Sequence, residues 1–167
     1  MPLGSAEILA LTGMMGSGKS TTARALSRLT GRRVVSLDQE IVRRAGKAVA
    51  AIFAEEGEAR FRALEREAVA GLAPGVIADL GGGAFCDPAS AERLLSVGRV
   101  VFLDVSPGEA ARRIGSDPGR PLAGSWEALL RARLPHYRRA HVTVATDGLT
   151  PENVARRILE ALSSEAP

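Results

Sequence analysis

The stretch Gly13-Met14-Met15-Gly16-Ser17-Gly18-Lys19-Ser20 decides the fold of this chain. It matches the pattern G-x-x-x-x-G-K-[ST] at every fixed position. An apolar run precedes it at residues 8–12, and apolar residues follow at helical spacing over residues 21–29. A strand, a glycine-rich loop and a helix in this order point backbone N–H groups and the helix N-terminus at phosphate oxygens. A chance match in a glycine-rich turn would lack these flanking elements, so the stretch predicts binding of a nucleoside triphosphate.

The same loop supplies most of the predicted nucleotide ligands. The Lys19 ammonium provides a charge for the β- and γ-phosphates, and the Ser20 hydroxyl is a direct ligand for Mg²⁺. Because the Lys19 charge follows the transferring phosphoryl group, we also count this residue as catalytic. The predicted nucleotide contacts of the segment are Gly13, Gly16, Ser17, Gly18, Lys19, Ser20 and Thr21.

The composition indicates a compact enzyme for small anions. The chain has 167 residues, of which 46% are hydrophobic and 4% aromatic, and its net charge is +3. Scattered basic residues and scarce aromatic residues argue against a nucleic-acid surface. The single cysteine, Cys86, cannot form an internal disulfide, and no apolar stretch reaches the length of a membrane span. We therefore expect one domain over residues 1–167, cytoplasmic and monomeric, with no nucleic-acid or membrane partner.

Short apolar runs alternate with helical patterns along the chain. The runs predict strands at residues 8–12, 33–37, 75–79, 99–105 and 142–145. Helical spacing predicts helices at residues 21–29, 38–44, 49–56, 58–72, 88–95, 107–114, 126–140 and 151–162. This alternation predicts an α/β fold with a parallel sheet of roughly five strands, helices on both faces, and ligands at the carboxyl ends of the strands. The loop at residues 115–125, rich in glycine and proline, is interpreted as a mobile lid.

One carboxylate and one ion pair are candidates for binding the acceptor. Asp38 follows the second predicted strand, so its carboxylate would lie beside the phosphate loop and orient or deprotonate a hydroxyl group. Asp38 is also a candidate N-cap for the next helix, and the two roles are compatible. Arg62 and Glu65 lie three residues apart on a predicted helix, where an ion pair would hold the guanidinium. Taken alone, such a pair is more typical of a solvated surface.

Later segments add backbone donors and cations. Three glycines at residues 81–83 end the third predicted strand and allow N–H groups to approach a ligand closely. Arg120 lies in the predicted lid, and Arg133 lies on the helix that follows. On that helix, Trp126 and Tyr137 are interpreted as packing residues.

Together these residues resemble the shikimate kinases, and the resemblance covers nearly the whole chain. Many nucleotide-binding proteins share the phosphate loop, whereas its combination with Phe-Arg-x-x-Glu, a triple glycine and Arg-x-Pro-x-Tyr is far more specific. The matching positions are residues 13–20, Leu37, Asp38, Glu40, Ile41, Ile52, Phe53, Gly57, Glu58, Phe61, Arg62, Glu65, residues 81–84, residues 120–122, Arg133, Pro135, Tyr137 and Arg138.

The resemblance implies a P-loop NTPase fold with a small acceptor-binding subdomain at about residues 38–72 and a lid at about residues 115–125. The implied reaction is transfer of the ATP γ-phosphate to the 3-hydroxyl of shikimate, in the biosynthesis of chorismate and aromatic amino acids. Forked guanidinium groups suit a planar carboxylate, and a lid arginine can neutralise a transferring phosphoryl group. The implied roles are hydroxyl binding by Asp38, carboxylate binding by Arg62 and Arg133, backbone donation by Gly82 and Gly83, and closure over the phosphates by Arg120.

The chain departs from the family pattern in three places. Ser36 stands where the family usually has the first aspartate of Asp-x-Asp, which helps to hold the waters of Mg²⁺. The stretch from Arg120 to Arg133 is several residues shorter than usual. The loop at residues 146–151 lacks the arginine that many relatives lay against adenine, which leaves Arg113 as the stacking candidate.

Asp79 is our candidate for the missing carboxylate. It ends an apolar run at a strand's carboxyl end, which is the usual Walker B arrangement, where relatives often carry a small residue. In the family sheet this strand neighbours the one that leads into the phosphate loop. Asp79 should therefore lie near Ser20 and hold Mg²⁺ through a water. The alternative is that Asp79 only pairs with nearby backbone or hydroxyl groups.

Two other functions stay open at this point. One is a kinase for another small polyol or acid, such as gluconate, or for a nucleoside monophosphate. A nucleotide acceptor would need a base-sized pocket and more phosphate-binding arginines than we can place. The other is a non-catalytic nucleotide-binding module, motivated by Ser36 and the short lid.

Overall fold

The computed structural model describes residues 3–115 and 123–164. Within these ranges, one sheet of five strands has the order β2-β3-β1-β4-β5, and every neighbouring pair is parallel. The predicted parallel α/β fold is therefore confirmed. The strands are β1 (Ile8–Thr12), β2 (Val34–Ser36), β3 (Ile77–Asp79), β4 (Gly98–Asp104) and β5 (Val142–Ala145).

Helices alternate with these strands as the sequence predicts. A short 3₁₀ turn at Ala84–Cys86, which we did not predict, follows the triple glycine. In the described part of the chain, no helix combines the length and the apolar character that crossing a membrane requires. The helices are α1 (Lys19–Thr30), α2 (Leu37–Ala45), α3 (Val49–Ala70), α4 (Pro88–Val97), α5 (Pro107–Ile114), α6 (Ala123–Tyr137) and α7 (Pro151–Ser164).

Two apolar clusters cover the two faces of the sheet. Because side chains alternate along a strand, Ala10 of β1 joins one cluster and Leu11 joins the other. Residues of α2, α3 and α4 complete the first cluster, and residues of α1 and α7 complete the second. The sheet is thus covered on both faces, as parallel sheets normally are.

Helix α2 begins differently from one of our expectations. Strand β2 ends at Ser36, and the Ser36 hydroxyl accepts a hydrogen bond from Gln39 N at 3.4 Å as the N-cap of α2. Asp38 lies in the first turn instead. The suggestion that Asp38 caps this helix is therefore wrong, because the strand ends one residue earlier than predicted and the helix already includes Leu37.

Two further boundaries bear on the site. Gly57, with φ +83°, interrupts α3, so the predicted break between the helices at residues 49–56 and 58–72 is confirmed. Helix α6 begins at Ala123, so the predicted loop at residues 115–125 is helical at its C-terminal end. The rest of the predicted lid, including Arg120, lies outside the described residues.

Gly98 joins α4 to β4 without a linker. It pairs with Ile8 of β1, and a Cβ at this position would overlap the Ile8 carbonyl oxygen. Its backbone is extended, with φ −161°, so any residue could adopt the conformation. A larger residue is therefore excluded at position 98 by lack of space where β4 begins to pair with β1, and not by the backbone conformation.

We expect Gly98→Ala to lower the free energy of unfolding by about 1–3 kcal/mol, the usual effect of overpacking. Gly108→Ala is the matched control, because a Cβ there meets no described atom within 4 Å. Gly108 also lies in the first turn of α5, where alanine is the better helix former. Urea denaturation of both variants measures the difference, and equal loss of stability would contradict the packing argument.

Candidate active site

The carboxyl ends of β1, β2 and β3 open into a cavity of about 690 Å³. The strand register pairs Ser36 with Asp79, and Asp79 with Leu11 just before the phosphate loop. Sheet order therefore brings distant parts of the sequence to one place. The predicted site residues that line this cavity are Gly16, Gly18, Lys19, Ser20, Thr21, Asp38, Asp79, Gly82, Arg113 and Arg133.

The phosphate loop is held by hydrogen bonds to its carbonyl groups. Lys19 Nζ donates to Gly13 O at 2.8 Å and to Met14 O at 3.1 Å. Gly16 and Gly18 have φ of +83° and +87°, a region that favours glycine. Helix α1 begins at Lys19, so its N-terminus and the loop meet at the cavity. An anion placed there would be stabilised by the helix N-terminus and the Lys19 charge.

The Lys19 ammonium is the electrostatic centre of the cavity. Burial lowers its pKa from 10.5 to about 8, although the Asp79 and Asp38 carboxylates act in the opposite direction. The Arg133 guanidinium adds to the lowering. Burial, and then the Asp79 charge, raise the pKa of Asp38, and Lys19 opposes that shift. The cavity thus places a cation beside a carboxylate that is more basic than usual.

Asp79 lies beside Ser20, as predicted. Asp79 Oδ2 accepts a hydrogen bond from Ser20 Oγ at 2.6 Å. Strand β3 is the direct neighbour of β1, which explains this proximity of residues that are 59 positions apart. The contact agrees with both roles considered for Asp79, pairing with a hydroxyl group and joint binding of a divalent cation.

Two guanidinium groups lie against the triple glycine. A Cβ at Gly82 would be 2.6 Å from Arg133 Nη1, and a Cβ at Gly83 would be 2.6 Å from Arg62 Nη1. Glycine is therefore required at both positions for the arginines to lie so close to the backbone. Arg62 Nη1 donates to Glu65 Oε1 at 2.9 Å, and the Glu65 side chain is only 1% exposed. The predicted ion pair is confirmed, and its buried carboxylate distinguishes it from a solvated surface pair.

Tyr137 and Trp126 are packing residues, as predicted. Each also donates a hydrogen bond to a loop of the site, Tyr137 to the triple glycine and Trp126 to the phosphate loop. Tyr137 stacks on Phe102 with ring centroids 4.9 Å apart, and its hydroxyl donates to Gly82 O at 2.5 Å. Trp126 is buried, and its Nε1 donates to Met15 O at 3.1 Å. These bonds span 55 and 111 residues of sequence, so no local pattern predicts them.

A second cavity of about 390 Å³ adjoins the phosphate loop. Ser17 lines this cavity rather than the larger one, together with Leu149 and Pro151. Arg113 lines both, and its guanidinium donates to Gly16 O at 3.2 Å and to Thr146 O at 2.7 Å. Arg113 is therefore anchored against the loop, and its stacking on a base stays a prediction.

The parallel sheet and the phosphate loop at its carboxyl edge define a P-loop phosphotransferase. Residues 15–163 match the sequence profile of the family described as shikimate kinase. The chain is 46% identical to the shikimate kinase of Thermobifida fusca over 96% of this chain and 97% of that protein. It is 44% identical to the shikimate kinase of Streptomyces coelicolor over 95% and 96%. The chain belongs to the shikimate kinase family and is an ATP-dependent kinase.

A solved structure of the family has the same architecture. The shikimate kinase from Acinetobacter baumannii in complex with shikimate aligns with a TM-score of 0.88 at 32% identity. The alignment covers 98% of this chain and 97% of that chain. The resemblance suggested by the sequence motifs is therefore confirmed over nearly the full length.

Proposed function

We propose that this chain transfers the γ-phosphate of ATP to the 3-hydroxyl of shikimate and releases shikimate 3-phosphate and ADP. The cavity carries the proposal, because its two ends have different chemistry. Lys19 and the phosphate loop line one part of it, and Arg133 and Gly82 line another; Arg62 lies outside the cavity lining, against the neighbouring Gly83. Such a cavity can hold a triphosphate and an anionic alcohol at once, which converts the transfer into a reaction between positioned groups.

The acceptor carboxylate would bind between Arg62 and Arg133. Planar guanidinium groups donate pairs of hydrogen bonds that match a carboxylate, and Glu65 fixes the orientation of Arg62. Gly82 and Gly83 would contribute backbone N–H groups, since both lie next to the arginines. On this proposal, residues 38–72 form the acceptor-binding subdomain.

Asp38 would hold the acceptor hydroxyl groups and take the proton of the one that attacks. Its Oδ1 lies 3.1 Å from the position of a Cβ at Gly81, and it lines the same cavity as Lys19. Asp38 therefore lies between the phosphate loop and the triple glycine. A carboxylate whose pKa is raised by burial is a better proton acceptor than an ordinary one.

The nucleotide would occupy the phosphate loop, with Lys19 stabilising the charge of the transferring phosphoryl group. Arg113, anchored between the two cavities, would contact the adenine. Arg120, outside the described residues, would close over the phosphates from the lid. The remaining proposed nucleotide contacts are Gly13, Gly16, Ser17, Gly18, Ser20 and Thr21.

Shikimate kinases depend on ATP and generally use Mg²⁺, and two residues here fit that ion. Ser20 Oγ and Asp79 Oδ2 lie 2.6 Å apart at the cavity, and both are hard oxygen donors of the kind that Mg²⁺ prefers. Ser20 would bind the ion directly and Asp79 through a water. When bound, Mg²⁺ neutralises negative charge on the β- and γ-phosphates.

Family membership does not favour a gluconate kinase, a nucleoside monophosphate kinase or a non-catalytic module. We also propose that the enzyme is a cytoplasmic monomer, in line with its scattered charges and single cysteine.

The function is tested by coupled ADP release with shikimate, gluconate and nucleoside monophosphates as acceptors. We expect turnover with shikimate alone.

Lys19→Met should reduce that turnover about a hundred-fold or more, because it removes the charge at the transferring group. The fold should persist, since the lowered pKa shows that burial disfavours the ammonium. Retention of more than about a tenth of normal turnover, with an unchanged melting temperature, would contradict the role of Lys19.

Arg62→Ala and Arg133→Ala should each raise the KM for shikimate about ten-fold or more and leave the KM for ATP nearly unchanged. Each variant removes one arm of the proposed carboxylate site. Asp38→Asn serves as the contrasting variant and should mainly lower kcat, because the amide cannot accept the hydroxyl proton. Steady-state kinetics with both substrates varied measures the split. Equal increases in the KM for shikimate and the KM for ATP would instead indicate that the arginines contact the phosphates.

Asp79→Ala should raise the Mg²⁺ concentration needed for half-maximal ADP binding about ten-fold, the range expected when a water-mediated carboxylate is lost. Asp79→Asn keeps an acceptor for Ser20 but removes the charge, so it should behave like the alanine variant. Adding Ser36→Asp, directly across the strand pair, should restore much of the affinity for Mg²⁺. Calorimetric titration of ADP at several Mg²⁺ concentrations gives the result, and an unchanged Mg²⁺ dependence in Asp79→Ala would rule out the metal role.

A further inference from the structure

Side chains hold five consecutive carbonyl groups of the phosphate loop. Lys19 binds the first two, those of Gly13 and Met14, and Arg113 binds the last two, at 3.2 Å and 3.3 Å. The carbonyl between them belongs to Met15, and it accepts its hydrogen bond from Trp126 Nε1 at 3.1 Å. Trp126 lies in the first turns of α6 and is 3% exposed. The middle of the loop is thus bound by an element that begins more than a hundred residues later.

Peptide geometry gives this contact a consequence for phosphate binding. In a planar trans peptide, the carbonyl of Met15 and the N–H of Gly16 point in opposite directions. A donor that holds the Met15 carbonyl on one side therefore directs the Gly16 N–H to the other side. Both residues line the larger cavity. The orientation of this peptide group decides whether the cavity presents a donor or an acceptor to an anion.

The same peptide group lies next to a conformationally permissive residue. Gly16 has φ +83°, and glycine adopts positive and negative φ with similar ease. Local backbone preference therefore does little to fix the orientation of the peptide between Met15 and Gly16. An external hydrogen bond from a buried, well-packed indole supplies that constraint before any ligand binds.

We infer that Trp126 is a positioning residue for the nucleotide: its indole N–H holds the Met15 carbonyl outward and thereby presents the Gly16 N–H to the phosphates. The inference rests on the proposed nucleotide site and adds a residue that does not touch the substrate. A phosphate bound to the Gly16 N–H would form one chain of hydrogen bonds with the peptide group and the indole. Hydrogen bonds in such a chain polarise and strengthen one another.

Trp126→Phe tests the inference, because phenylalanine keeps an aromatic ring in the packed site and removes the donor. We expect the Kd for ADP with Mg²⁺ to rise about three- to ten-fold, the effect of one hydrogen bond, while the Kd for shikimate stays unchanged. Tyr137→Phe is the matched control on the same helix. It removes the bond to Gly82 O and a weaker contact with Met14 Sδ, so it should weaken shikimate binding more than ADP binding, the reverse of the order expected for Trp126→Phe. Calorimetric titration of each variant with ADP and Mg²⁺, and separately with shikimate, gives the four dissociation constants.

A second measurement uses the unmodified protein and does not depend on the stability of any variant. The chain has a single tryptophan, so its indole N–H gives one identifiable signal in a proton–nitrogen correlation spectrum. That signal should shift on addition of ADP with Mg²⁺ and stay in place on addition of shikimate alone.

A folded Trp126→Phe protein that binds ADP as tightly as the wild type would overturn the inference, as would an indole signal insensitive to ADP. An equal loss of affinity for ADP and for shikimate would also overturn it, because Trp126 would then only support packing. Failure of the proposed function is a separate result, since it would show as absence of shikimate-dependent ADP release in the wild type.

Discussion

The site depends on stabilising the ammonium group of Lys19, a half-buried charge in the wall of the larger cavity. Burial disfavours the charge, as the lowered pKa shows, and the surrounding groups must compensate. Two loop carbonyls accept hydrogen bonds from the ammonium, and the Asp79 and Asp38 carboxylates supply opposite charge. These groups come from the ends of three strands. The sheet order β2-β3-β1 is therefore the structural condition for a charged lysine at this point.

Features encoded by local pattern were predictable from the sequence. Strands β1 and β5 have the predicted limits, and the glycine in the middle of α3 breaks the helix where expected. The proximity of Asp79 and Ser20 was predicted from the family resemblance instead, because the adjacency of their two strands is known from the family sheet and not from local pattern. The cap of α2 did not follow, since both Ser36 and Asp38 are good N-cap residues and one residue of strand length decides between them. The bonds from Trp126 and Tyr137 to loop carbonyls did not follow either. They depend on how α6 packs on the sheet, and nothing near either residue encodes that.

The strand register pairs Ser36 with Asp79, so the two residues lie on neighbouring strands at the same level of the sheet. Neighbouring residues of two parallel strands point to the same face of the sheet when they are in register. Exchanging their identities moves a charge by one strand spacing, about 5 Å. Ser36 meanwhile serves as the N-cap of α2, a role that serine fills well. The N-cap of α2 and the carboxylate near Ser20 are thus supplied by two different residues, Ser36 and Asp79.

Charged groups are distributed differently at the phosphate loop and at the triple glycine. At the triple glycine, Arg62 pairs with the buried carboxylate of Glu65, whose pKa burial raises, and Arg133 lies against Gly82. On the proposed function, an acceptor carboxylate would bind to these two guanidinium groups. At the nucleotide end, one ammonium faces the carboxylates of Asp38 and Asp79. A triphosphate bound there would meet the Lys19 charge and the N-terminus of α1 together with the Asp38 and Asp79 carboxylates, so a divalent cation bound with it would offset the repulsion from those two carboxylates.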